Sequence, residues 1–440
     1  MLAAGPLRTD RTPPSKPRCP PDRCVASAAL PASPWLLASL QARVRARPWA
    51  RTTRHYNLRM SKRAIAHCPR NAGLPALALV AAALGVAGCD GLQYVHHVAQ
   101  AQFSINRETE PIADVLASGR LSAEDADKLR LIVKARDYAA GTMGLRAGTS
   151  YTTFYDTQGQ PLAYNLSAAR RDALLARTWS FPIVGEVPYL AFFDEDYLRR
   201  VERRLQDEGF DTLTYELDAY STLGVFEDPV RSPMLKRGTL DLVETVIHEL
   251  LHNTVWRNGA TVFNESLATF VGRQGAIEFL RQEYGEDSGW PAVAVRFYAD
   301  TDAVNAFLLR FYEDLAAYYG GPGTPEEKTA GREAVFAAWR TRFETDVLPL
   351  LNYPDSFRGY GRLPTNNAWV LANYRYNLDL HVFAQVYEAA GHNWAAALGV
   401  YRAAAAAPGD PFEYLRNWLR ERAAAAAATR GGDDAGGPGG

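Results

Sequence analysis

Two histidines and one glutamate occur within five consecutive residues, His248-Glu249-Leu250-Leu251-His252. The surrounding apolar residues recur with helical spacing, and residues four apart in a helix lie one turn apart on the same face. The imidazoles of His248 and His252 can therefore reach one metal ion. Glu249 is rotated by about 100° from His248, so its carboxylate would lie beside the ion. There it could take a proton from water and pass it to a leaving amine. The segment predicts a catalytic zinc site with Glu249 as the base.

A catalytic zinc ion needs a third protein ligand and an open position for water. Glu265 follows His252 after twelve intervening residues, and a turn at Asn258-Gly259 could bring its carboxylate back to the ion. We therefore predict one Zn²⁺ held by His248, His252 and Glu265. Two other interpretations remain open: both histidines could be satisfied core residues, or the metal could be structural. The glutamate between the histidines favours catalysis, because a structural site needs no base.

The rest of the chain predicts an α+β fold in which a small sheet precedes a predominantly helical half. Residues 92–140 have a helical pattern, with Ser122 and Asp125 as a capping pair. Aromatic and β-branched residues bounded by turn residues predict strands at 151–155, 187–193 and 214–226. Helices are predicted at 198–209, from Thr239 to the turn at Asn258-Gly259, and at 264–284.

Composition limits the classes of partner. The 440 residues are 47% hydrophobic and 22% charged, which is ordinary for a folded domain with a sizeable core. The formal net charge is −1, so the chain has no global electrostatic attraction to nucleic acid or to acidic membranes. We expect no nucleic-acid partner.

The N-terminal part of the sequence predicts export. Residues 1–59, rich in Arg, Pro and Ala, are expected to be disordered, or a mis-annotated extension before the true start at Met60. Residues 60–88 have the positive start and short apolar stretch of a signal peptide, and this stretch is too short to span a bilayer. Val-Ala-Gly-Cys at 86–89 resembles the bacterial lipobox, which predicts lipid attachment to Cys89.

A lipid on Cys89 would anchor the mature protein to a membrane of the bacterial cell envelope, on its periplasmic side. The other cysteines all precede this position, at Cys19, Cys24 and Cys68. The mature chain would therefore contain no disulfide. We expect one folded domain at residues 89–422, followed by a disordered tail at residues 423–440 that is rich in Ala, Gly and Asp.

Residues 263–268, Phe-Asn-Glu-Ser-Leu-Ala, resemble the Asn-Glu-x-x-Ala segment of gluzincin metallopeptidases, whose glutamate is the third zinc ligand. More specifically, the chain resembles a bacterial family of predicted aminopeptidases. The matching segments, besides the metal motif, are 179–185, 220–224, 228–229 and 366–368. The resemblance implies a zincin-like metallopeptidase fold with two metal-binding helices. It also implies a sheet whose edge strand, here 214–226, lines the cleft and could hold an extended peptide by strand addition.

Zinc hydrolases also need a donor for the oxyanion that forms when water attacks a carbonyl. Tyr376 stands where the family pattern has tyrosine and is the preferred candidate, with Tyr374 and His381 as weaker candidates. All three could instead pack in the core. Glu244, one turn before His248, could orient that imidazole, although a solvated helix residue is the simpler interpretation.

These features together predict a zinc-dependent peptidase, an aminopeptidase by its family, that acts on peptide or protein substrates. An aminopeptidase needs acidic groups for the free ammonium of its substrate, and Glu227 and Asp228 are candidates unless they only begin a turn at Pro229. Endopeptidase activity therefore remains open. So do two further functions: a periplasmic zinc-binding lipoprotein that acts as a partner-binding or quality-control factor, and a hydrolase of non-peptide amides.

Overall fold

The computed structural model describes residues 89–181, 185–217, 228–362, 365–376 and 378–433. The expected N-terminal extension, the signal peptide and residues 434–440 of the predicted tail lie outside these ranges.

Helices dominate the described chain, and short strands occur in its first half. The helices are α1 (Cys89–Arg107), α2 (Ile112–Ser118), α3 (Ala123–Gly141), α4 (Glu195–Asp207), α5 (Thr239–His252), α6 (Thr261–Tyr284), α7 (Trp290–Gly320), α8 (Pro325–Arg342), α9 (Pro354–Phe357), α10 (Asn367–Tyr376), α11 (Leu380–Ala389), α12 (Trp394–Ala406) and α13 (Pro411–Asp433). The strands are β1 (Glu110–Pro111), β2 (Thr153–Tyr155), β3 (Ala163–Arg170), β4 (Trp179–Phe181), β5 (Gly185–Val187), β6 (Leu190–Phe192), β7 (Phe210–Leu217) and β8 (Val230–Arg231). The predicted α+β class is confirmed. No described helix is both long and apolar enough to cross a membrane.

The described strands form three small sheets, with the orders β1-β2-β8, β6-β3-β7 and β4-β5. In the second sheet, β3 pairs antiparallel with both neighbours. The sequence does not predict β3, because its residues, Ala-Tyr-Asn-Leu-Ser-Ala-Ala-Arg, include few strand formers. Its buried polar groups are paired locally, since the Ser167 hydroxyl donates to Asn165 Oδ1 at 3.3 Å. Pairing on both sides, rather than propensity, makes this segment a strand.

The predicted strands agree with the structure in part. The prediction at 151–155 contains β2, and the prediction at 187–193 contains β6. The third prediction, 214–226, overlaps β7, which ends at Leu217 and lies at an edge of its sheet. Residues 218–227 lie outside the described part, so a cleft-lining role for this strand stays a prediction.

The predicted helices lie where the sequence indicated, but several of their ends differ. Ser122 caps α3, and its side chain accepts a hydrogen bond from the Asp125 N–H at 3.0 Å, as predicted. Helix α5 ends at His252, before the predicted turn, where the Thr254 N–H bonds to the Leu251 carbonyl in a tighter i→i−3 turn. At the C-terminus, α13 runs to Asp433, past the expected domain end at residue 422. Alanine has the highest helix propensity, which favours this extension.

Helices α5 and α6 pack against each other within the main hydrophobic core of the described residues. Helix α5 is buried from Leu240 to His252. Burial of each large apolar side chain stabilises the fold by about 1.5–3 kcal/mol. Gly272 of α6 permits the close approach, because a Cβ there would lie 3.1 Å from the Glu244 carbonyl oxygen and 3.4 Å from the His248 Cβ. The two predicted metal-binding helices therefore meet beside His248.

Helix α1 covers the free edge of β6. The Tyr94 hydroxyl accepts a hydrogen bond from the Ala191 N–H, and His97 Nε2 accepts one from the Phe193 N–H, each at 3.0 Å. An uncovered edge strand would expose these donors to other chains. Because α1 begins at Cys89, the predicted lipid site is joined directly to a helix that packs on the sheet.

Candidate metal centre

The structure brings together the three residues predicted as metal ligands. His248 and His252 lie one turn apart on α5, and Glu265 lies in the second turn of α6. The distances are 3.2 Å between the two histidine Nε2 atoms, 3.3 Å from His248 Nε2 to Glu265 Oε2, and 3.5 Å from His252 Nε2 to the same oxygen. All three side chains are buried.

The two histidine nitrogens lie within hydrogen-bond distance of each other, and Glu265 Oε2 lies within ion-pair distance of both. This oxygen is buried, and no hydrogen bond of good geometry satisfies it in the described part of the chain. An unsatisfied buried carboxylate oxygen is costly unless a cation compensates it. The two facing Nε2 atoms and this oxygen form a group that could hold a metal ion.

The pKa values of His248 and Glu265 suit metal binding, whereas the raised pKa of His252 opposes it. Burial lowers the pKa of His248 to about 4, which keeps its imidazole neutral as a ligand requires. Burial also acts to lower the pKa of His252, but the Glu265 and Glu249 carboxylates outweigh it and raise that pKa. Burial acts to raise the pKa of Glu265, but His252 and His248 reverse this effect and keep the carboxylate ionised.

Glu249 lies next to His248 on α5 and is only 3% exposed. Its Oε1 atom is buried, with no hydrogen-bond partner in the described part of the chain. Burial raises the pKa of this carboxyl to about 7, although the nearby His252 acts in the opposite direction. A group with this pKa can both accept and donate a proton near neutral pH.

Glu244, one turn before His248, is not the solvated residue that the simpler interpretation suggested. It is 3% exposed and lies 3.6 Å from Arg273 Nε of α6. Arg273 also binds Asp302 of α7 at 3.0 Å, and its guanidinium lies 5.6 Å from the Tyr298 ring centre. Glu244 therefore ties α5 to the two following helices behind the metal site.

The Asn-Asn-Ala segment at residues 366–368 attaches α10 to the β3-β7 sheet. The side-chain amide of Asn366 donates to the Thr212 carbonyl at 2.9 Å, and that of Asn367 donates to the Arg170 carbonyl at 2.8 Å. At the other end of α10, the Ser266 hydroxyl donates to the Arg375 carbonyl at 3.4 Å. Ser266 follows the candidate ligand Glu265, so these contacts hold the end of α10 near the candidate metal site.

The candidate oxyanion donors occupy different surroundings. Tyr376 ends α10, near Ser266, but its side chain lies outside the described part. Tyr374 stacks on Tyr312 of α7, with 4.2 Å between the ring centres. His381 is exposed in the first turn of α11.

Tyr189 is a residue near the metal site that sequence analysis did not single out. It lies half-buried between β5 and β6, and the Arg375 guanidinium lies 5.2 Å from its ring centre. Burial raises its pKa, and the next influence is the negative charge of Glu265, with a smaller contribution from Glu249. Tyr189 therefore keeps its proton and lies within electrostatic reach of Glu265 and Glu249. Nothing local in the sequence marks it, because its partners come from α5, α6 and α10.

The structure describes only one of the two acidic residues that were predicted to bind a substrate ammonium. Asp228 is 2% exposed and lies 3.8 Å from the fully buried Arg231, so its charge is balanced within the protein. Glu227 lies outside the described residues.

A family model described as "Putative aminopeptidase" matches residues 93–409, a range that contains the sheets and both helices of the metal site. No curated protein and no solved structure matches the chain.

Proposed function

The chain belongs to the family described as "Putative aminopeptidase", and from that premise we propose that it is a zinc-dependent peptidase tethered to the bacterial envelope. One observation carries this proposal: His248, His252 and Glu265 form a buried ligand triangle next to the carboxylate of Glu249. Family membership suggests peptidase activity, and the triangle suggests how the activity is achieved.

The size and composition of the triangle fit zinc. Protein ligands lie about 2.0–2.1 Å from zinc in a tetrahedral arrangement, which separates any two of them by about 3.3–3.4 Å. The three edges of the triangle are 3.2, 3.3 and 3.5 Å. Two imidazoles and one carboxylate are also a typical ligand set for catalytic zinc, whereas calcium and magnesium prefer oxygen ligands.

When bound, zinc supplies the Lewis acidity that activates water and polarises a carbonyl. His248, His252 and Glu265 would hold the ion, and burial keeps His248 neutral for that purpose. Glu249 accepts a proton from the attacking water and returns it to the nitrogen of the leaving amine. Its position beside His248 and its raised pKa, about 7, suit both transfers.

The negative charge that develops on the substrate carbonyl oxygen needs a hydrogen-bond donor. Tyr376 remains the donor that the family pattern suggests. Tyr189 is a second candidate, since its hydroxyl stays protonated beside the negative charges of Glu265 and Glu249. Replacing each tyrosine by phenylalanine separates the two.

The proposal also states how the peptide substrate is held and where in the cell envelope the protein acts. The edge strand β7 would hold an extended peptide by strand addition, and Glu227 is the remaining acidic candidate for a free ammonium. Lipid on Cys89 would hold the protein at the periplasmic side of a membrane. The docking of α1 on β6 would then keep the catalytic domain close to the lipid surface.

The test compares the purified protein with its Glu249→Gln variant on peptides with free and blocked N-termini. We expect one zinc ion in both proteins and cleavage by the parent alone, because the substitution leaves the ligands in place and removes the base. Cleavage of free N-termini only would establish an aminopeptidase, and cleavage of blocked peptides an endopeptidase. Equal cleavage by both proteins would contradict the role of Glu249.

A further inference from the structure

A pocket of about 440 Å³ opens beside His252, one of the proposed metal ligands. Arg146 and Arg402 contribute the charged side chains of its wall, and no acidic residue lines it. The Trp256 ring lies edge-on to the His252 imidazole, with 5.5 Å between the ring centres. The pocket therefore combines two positive charges with an aromatic wall next to the metal site.

Arg146 is held in place while some of its donors stay available. Its Nη2 donates to the Thr254 carbonyl at 3.2 Å, and its backbone N–H donates to Thr254 Oγ1 at 2.8 Å. Arg402 projects from α12 and is exposed. Neither arginine forms an ion pair within the described part of the chain. Both guanidinium groups can therefore bind an anion.

The negative end of helix α12 would oppose an anion in this pocket, but another arginine compensates it. Nη1 of Arg257 donates to the carbonyls of Ala405 at 3.2 Å and Ala407 at 2.5 Å. Its Nη2 donates to the Gly409 carbonyl at 2.7 Å. These bonds satisfy the carbonyl groups at the C-terminal end of the helix, where a helix dipole is negative.

We propose that this pocket binds a carboxylate of the peptide substrate close to the bond that is cleaved. The planar fork of arginine matches a carboxylate, and a bound pair of this kind is stronger than a neutral hydrogen bond. His252 belongs to both the candidate metal site and the pocket, so the pocket adjoins the place where the substrate would be cleaved. The carboxylate belongs to an acidic side chain or to the free C-terminus of a short peptide. This inference rests on the proposed peptidase function.

Binding is measured by calorimetry on the full-length protein with Glu249→Gln, so that turnover does not interfere. The probes are short peptides that carry Glu, Gln or Lys next to the bond that the parent protein cleaves, each with a free or an amidated C-terminus. We expect the acidic peptide to bind at least about tenfold more tightly than its neutral match, as charge-assisted arginine pairs suggest. Adding Arg402→Ala should remove most of this preference, and Arg402→Glu should favour the Lys peptide.

Arg203→Ala is the matched control, because Arg203 is an exposed arginine on α4 and does not line the pocket. It should leave the preference unchanged. If exchanging Glu for Gln in the peptide weakens binding, the bound carboxylate is that of the side chain. If amidation weakens binding, it is that of the C-terminus. The proposal is overturned if neither change alters the affinity of the peptide, if the preference survives Arg402→Glu, or if no acidic peptide binds. Cleavage of neutral peptides by the parent, measured separately, would show the peptidase function intact even then.

Discussion

The close approach of α5 and α6 at Gly272 allows a quantitative prediction about the metal site. In Gly272→Ala, the new Cβ would lie 3.1 Å from the Glu244 carbonyl oxygen and 3.3 Å from its Cγ. Ordinary contact begins at 3.4 Å, so the two helices must separate by a few tenths of an ångström. Two proposed ligands lie on α5 and the third on α6, so this separation would widen the ligand triangle.

The cost follows from two opposing contributions. Overpacking a buried contact costs about 1–3 kcal/mol, and exchanging glycine for alanine within a helix stabilises by about 1 kcal/mol. We therefore expect the free energy of unfolding of the metal-free protein to fall by about 0–2 kcal/mol. Zinc affinity should fall by about tenfold or more, since changes that reposition metal ligands typically cost 10–100-fold.

Zinc affinity is measured by competition with a chromophoric chelator, and stability by urea unfolding. Gly275→Ala, one turn later on α6, is the matched control. Its Cβ would meet the ends of the Met143 and Ile247 side chains, at 2.7 Å and 3.1 Å, and these can move. It gains the same helix propensity, so its zinc affinity should stay near that of the parent. Parental zinc affinity in Gly272→Ala would refute the reasoning.

Three further predictions concern other contacts. Replacing Tyr189 by Phe should lower kcat about 10²–10³-fold without changing zinc content, if this residue is the oxyanion donor; unchanged kinetics would leave Tyr376 in that role. Burial lowers the pKa of His97 below 6.5. The undocked or unfolded state, in which His97 is exposed, therefore binds more protons than the folded state. The docking of α1 should weaken as pH falls from 6.5 through the folded pKa. Hydrogen exchange of the β6-edge amides should accelerate over that range, and pH-independent protection would contradict this. Replacing Arg332 by Met should cost about 1–3 kcal/mol in urea unfolding, because it removes two bonds to the buried Asp211, at 2.6 and 2.8 Å, while Arg171 stays 3.6 Å away. A loss below about 1 kcal/mol would argue against this role.

The ligands of the candidate site could be predicted because their arrangement is largely local. His248 and His252 share a helix face through their spacing alone. Glu265 needed only a turn between two helices, and the structure places it against both histidines. The end of α5 was less predictable, because hydrogen bonds to Leu251 after the helix, rather than a glycine, close its last turn.

The remaining features depend on contacts between distant parts of the chain. Strand β3 has few strand-forming residues and is held by its two neighbours. Glu244 has the sequence position of an exposed helix residue, but Arg273 and Tyr298 from later helices enclose it. Tyr189 becomes relevant only when Arg375 and Glu265 are brought beside it.

The most direct test of zinc binding at His248, His252 and Glu265 is X-ray absorption at the zinc edge, combined with metal analysis of the purified protein. We predict one zinc ion per chain, with two nitrogen ligands and the remainder oxygen at about 2.0–2.2 Å. Glu265→Gln should bind zinc much more weakly, whereas Arg203→Ala should bind it as the parent does. No bound metal after reconstitution, or equal zinc affinity in the parent and in a His248→Ala, His252→Ala double variant, would contradict the assignment.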